Sequence, residues 1–179
     1  WQAFYRLQDA GPYLLVDFVV LEEKHPSRFL EPEMHGTPTI YFDRKGLIGP
    51  AATDVADFAA KLQKRLPLLE VPAEMFHAFV DKEVRRGREL DALHFYQGLL
   101  LNRLVETLRI RYSPWRYNFG MRYLWRDLPH ETYAALCALA YVKDMAELPA
   151  KKAQAMDLLR RTLAEVRELD LADHLERNR

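Results

Sequence analysis

The spacing of apolar residues changes once along this chain, after Gly49-Pro50, and that change limits what each part can become. Before it, apolar and aromatic side chains come in short runs broken by turn residues. After it, they recur every three or four residues almost to the C-terminus, as in amphipathic helices packed side by side. The expectation is an α+β chain, in which a small sheet-bearing segment of residues 1–66 precedes a helical bundle of residues 67–179.

In the first part, Ala3–Gln8 alternates aromatic and polar side chains, Asp9-Ala-Gly-Pro12 supplies a turn, and Tyr13–Leu21 is an apolar run rich in β-branched and aromatic residues. Two strands are expected there. Glu22–Pro38, charged and broken by Pro26, Pro32 and Gly36, reads as a loop. Thr39–Asp43 reads as a third strand ending in the Asp43-Arg-Lys-Gly46 turn.

Beyond Pro50, Thr53 can cap a helix with apolar positions Val55, Phe58, Ala59, Leu62 and Leu66, and Leu66-Pro67 to Val71-Pro72 reads as a linker. Helices are then expected over 73–86, stopping at Gly87, and over 89–112, with Leu90, Leu93, Leu100, Leu101, Leu104 and Leu108 on one stripe. Ser113-Pro114 ends the second. An irregular aromatic stretch reaches Asp127, and two further helices cover about 129–142 and 148–175.

Composition narrows the setting. Twenty-six basic and 26 acidic side chains give no net charge, so no global field draws the chain to nucleic acid or an acidic membrane, and any anion site must be local. No apolar stretch approaches the roughly 18 residues that span a bilayer. The single cysteine, Cys137, reads as a small core residue and points to a reducing, cytoplasmic compartment. The chain starts at Trp1, directly in strand-like sequence, which suggests a missing upstream segment.

Asp17 is the most informative position. Apart from the Tyr13 hydroxyl it is the only polar residue of Tyr13–Leu21, whose two apolar faces suggest the interior of a sheet. A carboxylate there must be paired, protonated or on a metal. The alternatives are an Asp at the solvent-facing end of the strand or one paired with Arg6.

The Leu15-Val-Asp-Phe-Val-Val20 strand, followed by an Arg-rich helical half with Tyr112-Ser-Pro114 and Gly120-Met-Arg-Tyr-Leu-Trp-Arg-Asp-Leu-Pro129, resembles the nucleotidyltransferase superfamily. The likeness is to its branch with a helical C-terminal domain, which includes aminoglycoside and lincosamide nucleotidyltransferases. The resemblance implies a partial mixed sheet and transfer of a nucleoside monophosphate from ATP, or another nucleoside triphosphate, with Mg2+, to the hydroxyl of a small acceptor. Asp17 would then be the general base and a magnesium ligand. The family's Gly-Ser turn and following Asp-x-Asp pair are absent from the 179 residues. They must lie upstream of Trp1 or be lost, and the chain as given is expected to be catalytically incomplete.

Two other constellations stand out. Between Thr107 and Arg126 there are five arginines and no acid (Arg109, Arg111, Arg116, Arg122, Arg126), interleaved with Tyr112, Trp115, Tyr117, Phe119, Tyr123 and Trp125. Arginine forks and aromatic faces suit a nucleotide or an anionic acceptor, with Arg109, Arg116 and Arg122 as substrate-binding candidates. The same aromatics could be core and the arginines partners of nearby acids. Asn102, Glu106 and Arg109 form a polar row on one helix, either a cleft wall that binds substrate or a solvated face.

His35 could touch a ligand from its loop or simply be exposed; His77 and His94 lie on helices with no second ligand at metal spacing, so no zinc is expected. Arg88-Glu-Leu-Asp-Ala-Leu-His94 has the rough shape of a HEPN ribonuclease pair, at poor spacing. A non-catalytic helical binding module with a degenerate α/β half is the remaining reading.

Overall fold

A computed structural model describes residues 1–25, 30–49 and 53–179 of the chain. They form two compact units, Trp1–Ala52 and Thr53–Arg179.

In the first unit, β1 (Gln2–Tyr5) pairs antiparallel with β2 (Val16–Val19), with Phe4 opposite Asp17. The sheet of the described residues is this two-stranded ribbon, where a partial mixed sheet was expected. Both strands are shorter than their apolar runs, because pairing stops where the partner ends. Tyr13 is 98% exposed, and Phe4, Leu15 and Phe18 are also exposed. Asp17 is therefore not interior to a sheet. It is exposed and accepts a 2.7 Å hydrogen bond from Gln2 Nε2 on the same face, and Arg6 is not its partner. Thr39–Asp43 is not a strand. The loop contains one helical turn, α1 (Pro32–His35), ended by Gly36; the expected breaker Pro26 lies outside the described residues. The Asp43–Gly46 turn forms as expected. Asp43 accepts from the Leu47 and Ile48 amides, which hold its carboxyl below the usual range, and Gly46 takes φ 63°.

The second unit is helical. Its longest element, α2, runs from Val55 to Arg85. Asp54, not Thr53, is the N-cap, its carboxylate accepting from the Asp57 amide. The linker expected over 66–72 is helix, although Pro67 and Pro72 each remove a backbone donor. Packing overrides propensity there: Leu62, Leu66, Leu69 and Ala73 fall on one stripe and all are buried, whereas an interior proline costs about 3 kcal/mol. Gly87, at φ 66°, ends the helix as expected.

The next helix is continuous in three parts, α3 (Glu89–Phe95), a π-helical segment (Tyr96–Leu101) and α4 (Asn102–Tyr112). The π segment rotates the upstream part relative to a regular helix, by roughly 100° per inserted residue. Ala92 and Tyr96 consequently take the buried positions, and Leu90, expected on the stripe, is 83% exposed. The widened turn is clasped by Arg103, whose guanidinium donates to the carbonyls of Gly98 and Leu99.

Ser113-Pro114 ends α4 as expected and opens the crossover. It holds a 3-10 turn (Pro114–Arg116) and the short α5 (Leu124–Asp127), followed by α6 (His130–Ala140). The expected last helix is broken at 168–170 into α7 (Leu148–Arg167) and α8 (Leu171–Arg177), because Asp170 caps a new helix through the Ala172 and Asp173 amides. Glu70, Glu74 and Asp81 of α2 pair with Arg167, Arg160 and Lys152 of α7. Cys137 is exposed rather than core, since α6 turns Leu136 and Leu139 inward instead. Among the described residues, no helix is long and apolar enough to cross a membrane.

Candidate functional site: a basic groove beside an arginine-locked crossover

The polar row on α4 divides where the crossover folds back over the helix. Asn102 is exposed and Glu106 half-buried, both lining a groove, whereas Arg109, the same row one turn on, is completely buried. Its Nε donates to the Gly120 carbonyl at 2.8 Å, its Nη2 to the Arg122 carbonyl, and its Nη1 to Asp127 Oδ2 at 2.8 Å. The Asp127 carboxylate is equally buried and also takes Arg116 Nη2 at 2.7 Å and Arg126 Nε at 3.2 Å. A charge without water needs this many partners, and the three arginines around one carboxylate supply them.

Arg109 and Arg116, expected to bind substrate, are thus placed as structural braces of the crossover. Arg122 is exposed; its side chain donates to the Tyr123 hydroxyl at 3.5 Å and lowers that phenol's pKa. Tyr123 itself sits at φ 61°, a left-handed conformation costly for a side chain of its size, fixed between the tethered Arg122 carbonyl and the helical turn of α5. Of the window's aromatic residues, Trp115 and Tyr117 join the core, Tyr112 and Phe119 are half-buried, and Tyr123 and Trp125 are exposed. Trp115 is buried, donates its indole N–H to the Leu175 carbonyl at 3.1 Å and packs on Phe58, with ring centroids 4.9 Å apart.

The braced crossover forms one wall of the groove, through Tyr117, Asn118 and Gly120. The other walls are Asn102 and Glu106 of α4 and Lys61, Lys64, Arg65 and Leu68 of α2, enclosing 660 Å³. Arg65 donates Nε and Nη2 to the two Glu106 oxygens at 2.6 and 3.0 Å, a forked pair that raises the guanidinium pKa. Arg103, burdened by burial and by the nearby charge of Arg65, has its pKa lowered. Lys61 projects its ammonium 5.7 Å from the ring centres of both Phe58 and Tyr117. Neither Lys61 nor Lys64 forms a salt bridge among the described residues. The groove therefore carries three cations and one carboxylate, with amide groups at Asn102 and Asn118.

Of the expected site residues, only Glu106 lines this groove, with Asn102 of the same row; Asp17 belongs to the other unit. Nothing in the sequence sets Lys61, Lys64 and Arg65 apart from other charged residues of a helix. Among the described residues no group of three or more His, Cys, Asp or Glu side chains is gathered for a metal ion. Arg88 donates to Glu83 at 3.5 Å and His94 is exposed beside Phe95. Comparison with family models, with curated proteins and with solved structures finds no match to this chain.

Proposed function

We propose that the helical unit is a binding module for a small phosphate-bearing ligand, held in the groove between α2, α4 and the crossover. The observation that carries this reading is the pair Lys61 and Lys64, two ammonium groups that form no salt bridge among the described residues, on a cavity of 660 Å³. Along α2 and α7 cations are matched by acids, and among the described cations that form no salt bridge, such as Arg85 and Arg122, Lys61 and Lys64 are set apart by lining a cavity. Unmatched lysines on a concave wall attract an anion, and the volume lies within the roughly 300–1,000 Å³ of small-molecule sites. Asn102 and Asn118 offer donors and acceptors to an uncharged moiety, and the rigid wall behind Tyr117 limits the ordering cost of binding. A cytoplasmic setting suits this reading, since phosphorylated metabolites abound there and the exposed Cys137 stays reduced.

The nucleotidyltransferase reading is the second proposal. It makes the ligand a nucleoside triphosphate with Mg2+, assigns Asp17 as base and metal ligand, and adds a hydroxyl-bearing acceptor. Its support is the likeness of Leu15–Val20 and Gly120–Pro129 to that superfamily.

Calorimetric titration of ATP, with and without Mg2+, into the chain and into K61A/K64A and D17A variants tests both. The binding module predicts saturable binding without Mg2+, weakened at least about tenfold by K61A/K64A and indifferent to D17A. Binding that requires Mg2+ and is lost in D17A favours the transferase. Absence of binding, or binding untouched by the lysine substitutions, removes the groove from consideration.

A further inference from the structure

We infer that Glu106 is an internal competitor for Arg65 and makes the groove selective for ligands with two or more phosphate groups over those with one. The inference rests on the proposed anion-binding role of the groove. Three cations line it, but they are not equally available. Lys61 and Lys64 are unmatched, while the Arg65 fork is already filled by both Glu106 oxygens at 2.6 and 3.0 Å. That is the two-point arrangement in which a guanidinium also grips a phosphate, so carboxylate and ligand compete for the same donors.

The surroundings support competition rather than a fixed brace. The Arg65 side chain is 41% exposed and lies at the groove, unlike the fully buried Arg109–Asp127 pair. Lys61 and Arg65 are four residues apart on α2, hence neighbours on one face, and Lys64 is adjacent in sequence. One phosphate group is satisfied by the two lysines and gains little by contesting Arg65. A second, carrying further charge, has no free cation left and draws Arg65 from Glu106. The Arg65 end of the pair is 41% exposed and the Glu106 end 17%, so a ligand reaches the guanidinium from the groove, and only a strongly charged one offsets leaving the part-buried carboxylate without its fork.

Inorganic phosphate and pyrophosphate, titrated at constant ionic strength into wild type, E106Q and E106Q/R65Q, test this by calorimetry. Wild type is expected to prefer pyrophosphate. E106Q frees Arg65, so its affinity for inorganic phosphate should rise about tenfold and the preference for pyrophosphate should shrink, and adding R65Q should cancel the gain. E106D, whose shorter arm cannot fill both branches of the fork, should move the same way by less, and serves should E106Q fail to fold. Pyrophosphate binding by wild type with phosphate affinity unchanged or weakened in the Glu106 variants overturns the competitor role and leaves the groove standing. Failure of wild type and the Glu106 variants to bind either anion overturns both.

Discussion

Replacing Arg109 by methionine should destabilise the helical unit by about 4 kcal/mol. The substitution keeps much of the side-chain volume but removes a charge-assisted bond to Asp127, worth about 1.5–3 kcal/mol, and two bonds to the Gly120 and Arg122 carbonyls, worth about 1 kcal/mol each. The sum agrees with the roughly 3–5 kcal/mol lost when one partner of a buried pair is removed. Against a typical 5–15 kcal/mol for a domain, such a loss leaves the unit marginal. Urea unfolding followed by tryptophan fluorescence is suited to the measurement. Trp115 is 3% exposed, whereas Trp1 and Trp125 are 76% and 68% exposed, so the change in emission reports chiefly on Trp115. The midpoint should fall at nearly constant slope. D127A leaves the Arg109 charge buried without its carboxylate and should cost as much. The R109M/D127A double variant, which leaves neither charge stranded, should lose less than the two singles together, by about 2 kcal/mol. A cost under about 1 kcal/mol for R109M, or strict additivity, would refute the view that this guanidinium holds the crossover.

Three further outcomes follow from particular residues. Pro72→Ala restores an amide to the interior of α2 without disturbing its core stripe, and the thermal midpoint should rise, corresponding to about 1 kcal/mol or more. His174 is 5% exposed, and its Nε2 carries a proton donated to the Ile110 carbonyl at 3.0 Å; burial pushes its pKa below the usual 6.5. Protonation is thus easier in the unfolded chain, and stability present above pH 6.5 should decline as pH falls below it. An H174Q variant, compared by urea melts at several pH values, should lack that part of the decline. Glu74→Ala breaks one exposed contact with Arg160 and should cost less than about 1 kcal/mol by the same assay.

Much of the helical unit was legible because its boundaries are set by local chemistry. Gly87 and Ser113-Pro114 stop helices through backbone restrictions that neighbours do not change. The prolines at 67 and 72 misled for the opposite reason: their local cost is outweighed by Leu66, Leu69 and Ala73, whose burial depends on distant helices. In the first part, apolar content suggested more sheet than two short strands provide, since a strand needs a partner that its own residues do not specify.

The candidate site was half legible. Helical spacing put Asn102, Glu106 and Arg109 on one face correctly, but spacing does not say what covers a face. The crossover covers Arg109 and leaves the other two open. Asp127, the residue that organises the arginines, lies one position beyond the acid-free window that drew attention to them. Lys61 and Lys64 carried no signal, because a functional charge and a solvating one look alike until a wall stands opposite.

The π segment has a consequence in time as well as in space. Upstream of it, α3 packs against α2; downstream, α4 packs against α7 as well as α2. A single rod joining two packing neighbourhoods would transmit any movement of one to the other, but a widened turn at Gly98 interrupts the regular ladder between them. Deuterium should therefore enter at Leu99–Leu101 earlier than in the α4 interior. Arg103, by holding the Gly98 and Leu99 carbonyls, is expected to slow that exchange.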